Sequence, residues 1–196
     1  MSERHVGLLG ATSLMGECLL KQLLENDWHI TAFSRHPITQ SHPQITWQQL
    51  DTKNQLRIST KKINISVWLC VAPIWILPEY VDLLLAYGAR RIVVLSSTSR
   101  FTKNTSSDPS ERKIAQQLIK GEEFLQTWAA THEVKWIILR PTLIYGYGHD
   151  KNIAEIARFI RRFGFFPLLG SAKGLRQPVH VEDVALACYA ALDTLN

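Results

Sequence analysis

The residues of this chain best suited to chemistry lie in a turn near its N-terminus, Gly10-x-x-Ser13-x-x-Gly16. An apolar run ends at Gly10 and a helical pattern begins at about Leu14, which predicts a strand, a tight turn and a helix start. Such a turn lets a phosphate approach the backbone, and the free N–H groups and positive end of the helix dipole bind it. Ser13 replaces the usual middle glycine; its Cβ disfavours positive φ, but its hydroxyl can donate to a phosphate. We therefore expect a nucleotide site here, the alternative being a strand-to-helix turn without a ligand.

A second candidate group lies about 20 residues further on, where the next predicted strand ends in Ser34 and Arg35. An acidic residue at this point binds the ribose 2′-hydroxyl of NAD, yet no acid occurs between Asp27 and Asp51. The guanidinium of Arg35 instead suits the 2′-phosphate of NADP. The sequence therefore favours NADP(H) over NAD(H), unless Arg35 is an ordinary solvated surface residue.

The ends of the third and fourth predicted strands supply further candidates. Asp51 and Thr52 close the third strand, where they can reach an adenine amino group or cap a helix. Val71, Ala72 and Pro73 end the fourth strand. Their small size would let the backbone pass close to a cofactor, and the proline also stops the strand.

The elements that must position these groups alternate between strand and helix along the whole chain. This alternation predicts a doubly wound α/β fold with a parallel sheet and helices on both faces. The apolar runs at 92–95 and 136–139 are typical of strands covered on both faces. The predicted strands are 5–9, 29–33, 45–49, 65–71, 91–96 and 135–139, and the predicted helices are 14–26, 54–60 (weak), 77–87, 109–131, 153–163 and 182–192.

Composition narrows the class of protein. The 196 residues, 46% of them hydrophobic, suffice for one domain, and the net charge of +5 is spread over scattered residues, so no nucleic acid is needed to explain it. Cys18, Cys70 and Cys188 are too far apart for a metal motif or a disulfide framework. No apolar run is long enough to cross a membrane, and no signal pattern precedes the first strand. We expect a cytoplasmic protein with no metal and with neither nucleic acid nor membrane as a partner.

With these elements placed, four segments in the same order resemble the motifs of the extended short-chain dehydrogenase/reductases. That group includes the NAD(P)-dependent sugar-nucleotide epimerases and dehydratases, and the segments are 10–16, 94–98, 139–146 and 178–185. The resemblance implies a Rossmann-type fold and adds Pro141 and Thr142 beside the nicotinamide. The predicted cofactor contacts are Gly10, Thr12, Ser13, Leu14, Met15, Gly16, Ser34, Arg35, Asp51, Thr52, Val71, Ala72, Pro73, Ser96, Pro141 and Thr142.

The catalytic helix departs from the pattern of this family. The family uses a Tyr-x-x-x-Lys pair for proton transfer, but residues 109–131 contain no tyrosine. Counting back from the family's usual glutamate, here 122 or 123, the tyrosine position falls on Ile114 or Ala115 and the lysine position on 118 or 119, both apolar. Thr98 matches the family's Ser/Thr, which orients the substrate hydroxyl. Tyr147-x-x-x-Lys151 lies in a glycine-rich loop, which makes it a chance match.

The resemblance also implies a substrate lobe, reduced here to about residues 146–180. Within it Asn152, Arg176 and His180 are the polar groups expected near a substrate. Arginine suits a diphosphate, although Arg176 can equally be a surface charge and His180 a structural histidine.

Three functions stay open at this point. The first is an NADP-dependent reductase or epimerase acting on a small hydroxyl or carbonyl compound, for example a sugar nucleotide. The second is a catalytically inactive NADP(H)-binding sensor or interaction module, which the absence of the Tyr-Lys pair favours. The third is a structural domain without a ligand, which the glycine turn and Arg35 oppose. A homodimer through the helices at 77–87 and 109–131 is compatible with the family.

Overall fold

A computed structural model describes residues 4–50, 63–148, 150, 153–167 and 177–194. Six strands form one sheet in which every neighbouring pair is parallel, in the order β3-β2-β1-β4-β5-β6. The predicted doubly wound fold is therefore confirmed. The strands are β1 (His5–Leu9), β2 (His29–Ser34), β3 (Ile45–Gln49), β4 (Val67–Cys70), β5 (Arg91–Leu95) and β6 (Lys135–Leu139).

Helices cover both faces of this sheet because successive strand residues point to opposite sides. The helical elements are α1 (Leu14–Leu24), a 3₁₀ helix (Ile74–Glu79), α2 (Val81–Ala86), α3 (Ser99–Thr102), α4 (Pro109–Thr131), α5 (Ile153–Phe163) and α6 (Val181–Thr194). In β1, Leu8 faces a core shared with α1 and α6, whereas Leu9 faces a core shared with the 3₁₀ helix, α2 and α4.

Most predicted bounds agree with the structure to within two residues. The start of α4 is confirmed in detail, since Asp108 caps it by accepting the Ser110 N–H at 2.8 Å and the following proline occupies the first turn. The helix expected at 77–87 is wrong as a single element: Pro78 lies in a 3₁₀ helix and α2 follows it, because proline cannot donate the helical hydrogen bond. The helix expected at 54–60 lies outside the described residues.

Two short strands, β7 (Leu143–Tyr145) and β8 (Pro178–His180), pair in parallel as a second sheet. Neither was predicted, because three residues carry too little alternation to be recognised. The four-residue helix α3 was missed for the same reason.

The expectation that strand 136–139 is covered on both faces holds only in part: Ile137 and Leu139 pack against one core and Ile138 against the other, but the coverage is incomplete. Trp136 is 38% exposed and the three residues after it are only half-buried, whereas 92–95 in β5 are buried. Among the described residues β6 is the last strand of the sheet, so only β5 pairs with it. No helix within these ranges combines the length and apolar character needed to cross a membrane.

Candidate nucleotide and active site

The glycine turn joins β1 to α1 at the edge where all six parallel strands end. Gly10 has φ +88°, and a Cβ on it would lie 2.6 Å from the backbone nitrogen of Ala72, just beyond β4. A Cβ on Gly16 would lie 2.3 Å from the Gly10 carbonyl oxygen. Both positions therefore exclude a side chain. The turn lies between β1 and β4, where the strand order reverses, which is the point at which such sheets bind ligands.

Ser13 is the N-cap of α1. It has φ −85°, so the turn requires no positive φ at this position and the serine fits it without strain. Its Oγ accepts the Gly16 N–H at 3.0 Å and donates to the Gly10 carbonyl at 2.8 Å. The hydroxyl hydrogen is thus already bonded within the turn. The N–H groups of Leu14 and Met15, in the first helical turn, have no intrahelical acceptor and are the donors offered to a phosphate.

Arg35 lies beside this turn because β1 and β2 are adjacent and parallel, with Leu9 paired to Phe33. The backbone around it is held in place: Ser34 Oγ accepts the His36 N–H at 3.2 Å. The Arg35 side chain is exposed and forms no ion pair with any residue in the described ranges. Its guanidinium, without an ion-pair partner among the described residues, is therefore available beside the glycine turn. Asp51 and Thr52, predicted on the next strand, lie outside the described residues.

A buried carboxylate, Glu122 of α4, ties together the ends of β5 and β6. Ser96, directly after β5, donates its hydroxyl to Oε1 at 2.5 Å. Arg140, directly after β6, donates Nε to Oε1 at 3.0 Å and Nη2 to Oε2 at 2.6 Å, and Arg100 of α3 also donates to Oε2. Ser96, which was predicted to contact the cofactor, thus has a hydrogen-bonded role within the protein.

The protonation of Glu122 follows from these contacts. Burial alone would raise the pKa of its carboxyl, but hydrogen bonds from Arg140 and Ser96 and the charges of Arg140 and Arg100 together lower it. The same pairing raises the pKa of Arg140. The cluster therefore contains one carboxylate and two guanidinium groups, all charged at neutral pH.

Thr98 and Pro141 meet above this cluster. The backbone N–H of Thr98 lies 3.1 Å from the Pro141 carbonyl oxygen, and its hydroxyl lies 3.4 Å from the same atom. Thr142, the next residue, donates its hydroxyl to the Gln177 carbonyl at 2.5 Å. The structure thus brings together three of the residues that were predicted at the ends of β5 and β6.

Burial distinguishes the two candidate glutamates of α4, since Glu122 is buried and Glu123 is exposed. If Glu122 is the family's glutamate, the positions of the family's tyrosine and lysine fall on Ile114 and Leu118. Ile114 is 41% exposed and Leu118 is buried in the core. Neither side chain carries a proton that can be exchanged.

Sequence reasoning missed a hydrogen bond between Tyr147 and Glu182, which lie 35 residues apart. Tyr147 has φ +52° and donates its hydroxyl to the Glu182 carboxylate. This hydrogen bond, with smaller contributions from desolvation and nearby negative charge, raises the pKa of Tyr147 to about 12. A tyrosine that holds its proton so firmly is a donor and a poor base. Lys151, the other half of the chance motif, lies outside the described residues.

His180 lies next to this pair on β8. Its ring is 5.2 Å from that of Tyr145 and 5.7 Å from that of Tyr147, and its Nδ1 is 3.6 Å from a Glu182 carboxylate oxygen. Asn152 and Arg176, its predicted companions at a substrate, lie outside the described residues. No group of three His, Cys, Asp or Glu side chains in the described part of the chain is arranged to hold a metal.

The sequence model of the NAD dependent epimerase/dehydratase family matches residues 79–196, more than half of the chain. This chain belongs to that family. Among individual proteins, it is 27% identical over 207 residues to "Uncharacterized protein y4nG" of Sinorhizobium fredii, a match covering 93% of this chain and 52% of that protein. It is 40% identical over 55 residues to the mitochondrial NADH dehydrogenase [ubiquinone] 1 alpha subcomplex subunit 9 of Arabidopsis thaliana, covering 28% of this chain and 13% of that protein. The chain thus spans about half the length of the first relative and less of the second.

Solved structures of other proteins share the fold. The dTDP-glucose 4,6-dehydratase of Bacillus anthracis in complex with NAD superposes with a TM-score of 0.73 at 17% identity, over 98% of this chain and 73% of that one. MoeE5 in complex with UDP-glucose and NAD gives a TM-score of 0.70 at 22% identity, with the same coverage. At these identities the likeness establishes the fold alone.

Proposed function

We propose that this member of the epimerase/dehydratase family binds NADP(H) in preference to NAD(H). We propose further that it acts as a reductase or epimerase on a hydroxyl or carbonyl group of a small substrate, a sugar nucleotide being the first class to test. The observation that carries the proposal is the glycine turn at the switch point of the sheet with the exposed Arg35 beside it. A cytoplasmic location fits this activity.

The residues of the turn fit a dinucleotide. Gly10 and Gly16 leave the backbone bare, and the first-turn N–H groups of α1 would hold the pyrophosphate, with Thr12 and Ser13 beside it. Ser34 and Arg35 would hold the adenosine ribose and its 2′-phosphate. Val71, Ala72 and Pro73 would line the middle of the cofactor, and Ser96, Pro141 and Thr142 the nicotinamide end. Asp51 and Thr52 would face the adenine.

The chemistry at the nicotinamide end rests on Thr98. A bound nicotinamide supplies the acceptor or donor of a hydride, and the protein must hold the substrate oxygen next to it. The Thr98 hydroxyl lies 3.4 Å from the Pro141 carbonyl oxygen. This hydrogen bond is long and therefore weak, so a substrate hydroxyl can replace it. Asn152, Arg176 and His180 would contact the remainder of the substrate. MoeE5 in complex with UDP-glucose supports this class of substrate.

Thermal unfolding with NADP⁺, NADPH, NAD⁺ and NADH tests the cofactor proposal. A ligand that binds only the folded state at a hundred times its Kd adds about 2.7 kcal/mol to the free energy of unfolding. We expect a rise in Tm with the two phosphorylated cofactors that exceeds the rise with the other two. Equal shifts would overturn the preference, and no shift with any of the four would overturn the site.

Turnover tests the catalytic proposal separately. The protein is incubated with UDP-glucose or dTDP-glucose and each cofactor, and the sugar is followed by NMR while the reduced nicotinamide is followed by absorbance. We expect conversion that Thr98→Val abolishes and Thr98→Ser retains. Cofactor binding without conversion of a broad panel of sugar nucleotides and ketones would count against an enzyme of this kind.

The second candidate is an NADP(H)-binding sensor or interaction module without catalysis. It is favoured by α4, which has no tyrosine, so that the expected positions of the family's proton-transfer pair fall on apolar residues, 114 or 115 and 118 or 119. It predicts tight cofactor binding, no turnover, and a protein partner whose capture changes when NADPH is added.

A homodimer through α2 and α4 is a further proposal. Trp75, beside α2, is 36% exposed and is available to such an interface, whereas Trp128 is buried in the core and does not contribute to it. Sedimentation velocity of the wild type and of Trp75→Ser tests this arrangement.

A further inference from the structure

Three exposed aromatic side chains lie within four residues of one another at the end of α5. Phe163, Phe165 and Phe166 are 51%, 60% and 41% exposed, and Ile160, one turn earlier, is 43% exposed. Monomeric proteins rarely leave large apolar side chains clustered in water, and such a cluster marks a binding surface.

α5 is a strongly amphipathic helix whose apolar side the protein core does not use. Its isoleucine and phenylalanine residues recur at helical spacing on one side, and its three arginines occupy the other: 153, 156, 159, 160 and 163 against 158, 161 and 162. Ala154 is its one buried residue. Neither of the two buried core clusters found in the described ranges includes any residue of α5.

The phenylalanine cluster has a defined local structure. Gly164 follows α5 with φ +78° and donates its N–H to the Ile160 carbonyl at 2.8 Å, the arrangement of a glycine that caps a helix C-terminus. Directly after this cap, the rings of Phe165 and Phe166 lie 5.9 Å from that of Phe159, and the ring of Phe163 lies 4.6 Å from the same ring. The four rings therefore support one another while three of them remain in contact with water.

Charge indicates what covers this surface. Arg158, Arg161 and Arg162 are all exposed, and Glu155 is the one acidic residue of α5. Two copies that faced each other through their apolar sides would leave the arginines on the outer sides of the pair, where neither copy offers them a partner of opposite charge. An anionic surface is complementary instead. Arginine on one side of a helix and phenylalanine on the other is the pattern of a helix that lies in a lipid headgroup region.

We propose that α5 together with residues 164–166 binds the surface of anionic lipid membranes, with the helix in the plane of the bilayer. The phenylalanine cluster would enter the boundary between headgroups and acyl chains, while the arginines of α5 remain among the lipid phosphates. The absence of a membrane partner was expected because no apolar run is long enough to cross a bilayer. That argument does not apply to a helix that lies on one. This surface is independent of the proposed cofactor site.

Flotation of the full chain with lipid vesicles tests the proposal. Vesicles of phosphatidylcholine alone are compared with vesicles that also contain phosphatidylglycerol, at low and at physiological salt. We expect binding to the anionic vesicles alone, weakened by salt because screening reduces the attraction. Lack of binding to anionic vesicles at low salt would overturn the proposal.

Two pairs of variants locate the contact. Arg161→Glu with Arg162→Glu should lower the affinity for anionic vesicles at least about thirtyfold, because each basic residue at the surface contributes about fivefold. The matched control, Lys113→Glu with Lys120→Glu, changes the net charge equally on the exposed face of α4 and should have a much smaller effect. Equal losses in both would show non-specific attraction and overturn the proposal.

A second pair of variants tests the contribution of the apolar side chains to vesicle binding. Phe165→Ser with Phe166→Ser should weaken vesicle binding at least tenfold, whereas Leu186→Ser, an exposed apolar residue of α6, should not. Circular dichroism melts show whether each variant remains folded. If the phenylalanine variants instead abolish a self-association seen by sedimentation velocity and leave vesicle binding unchanged, the surface binds a second copy and the proposal is wrong.

Discussion

Arg140 holds the buried carboxylate of Glu122 with two N–H groups at once, Nε at 3.0 Å from Oε1 and Nη2 at 2.6 Å from Oε2. This side-on geometry is the strongest form of ion pair between these residue types. It fixes the end of β6 to the middle of α4, and through Ser96 it also fixes the end of β5. The loops that carry Thr98 and Pro141 therefore start from a rigid point.

Removing the charge of Glu122 should destabilise the whole fold. Glu122→Gln leaves two guanidinium groups without their counter-ion, and breaking a buried pair in this way costs about 3–5 kcal/mol. Because water reaches part of Arg140 and Arg100, whose side chains are 31% and 21% exposed, we expect a value near 3 kcal/mol. Urea unfolding at neutral pH measures it. Glu123→Gln, one residue away and exposed, should change the free energy of unfolding by less than about 0.5 kcal/mol.

The same carboxylate should make the stability depend on pH in acid. The pKa of Glu122 in the folded protein is lower than its ordinary value of 4.5, so its contribution is complete above that pH. It is lost as the pH falls through the folded pKa, since the folded state must then take up a proton that it binds weakly. The difference in free energy of unfolding between wild type and Glu122→Gln should therefore be constant from neutral pH to about 5 and shrink below.

Urea unfolding series of both proteins at several pH values measure this difference. Glu123→Gln is carried through the same series, because it changes one carboxylate without touching the cluster. A difference that stays constant into strong acid, with both proteins still folded, would mean that the Glu122 carboxylate does not favour its charged form in the folded state.

Substitutions of Ser13 test whether its hydroxyl caps α1, binds the phosphate, or does both. As an N-cap it should stabilise α1, so Ser13→Ala should cost about 1 kcal/mol and Ser13→Gly only a few tenths. If the hydroxyl contributes nothing to phosphate binding, Ser13→Gly should bind NADPH as tightly as the wild type. Urea unfolding and isothermal titration calorimetry measure the two effects. A tenfold loss of NADPH affinity in Ser13→Gly would give the hydroxyl a role in binding.

Arg35 should control the choice of cofactor. Arg35→Ser removes a charge-assisted hydrogen bond to a 2′-phosphate, worth about 1.5–3 kcal/mol, so the Kd for NADPH should rise roughly tenfold to a hundredfold. The Kd for NADH should change little, because NADH has no 2′-phosphate. Titration calorimetry with NADPH and with NADH measures the two dissociation constants. The control is Arg90→Ser, which removes an exposed arginine directly before β5, at the N-terminal ends of the strands and so on the far side of the sheet from the glycine turn. An equal loss of affinity for NADPH and NADH in Arg35→Ser would contradict the assignment of Arg35 to the 2′-phosphate.

The fold was predictable because its long elements carry strong local patterns. The spacing of apolar residues in 109–131 predicted the bounds of α4, and the Gly10 and Gly16 pair predicted the turn. The two three-residue strands were missed because their partner is distant in sequence and their own pattern is too short. The choice between Glu122 and Glu123 could not be predicted either. The two are identical neighbours in the sequence, and only the packing of the folded protein buries one of them and exposes the other.

The exposure of β6 shows a second limit. Its run of apolar residues is the same kind of signal as that of β5, yet among the strands that the structure describes β5 has a neighbour on each side and β6 on one. The pattern of apolar residues indicates how buried a strand can be. The position of that strand in the sheet, at the end or in the middle, depends on the rest of the chain. The hydrogen bond from Tyr147 to Glu182 escaped prediction for a related reason: 35 residues separate its partners.

Tyr147 should keep its proton to unusually high pH. Its hydroxyl donates to the Glu182 carboxylate, and losing the proton would place two negative charges side by side, which is why its pKa rises to about 12. Ultraviolet titration of wild type minus Tyr147→Phe isolates this residue from the other four tyrosines. Glu182→Gln should return the pKa towards its ordinary value of 10, whereas Asp183→Asn, the adjacent exposed acid on α6, should leave it raised. A wild-type value near 10 would mean that the hydrogen bond is not maintained in solution.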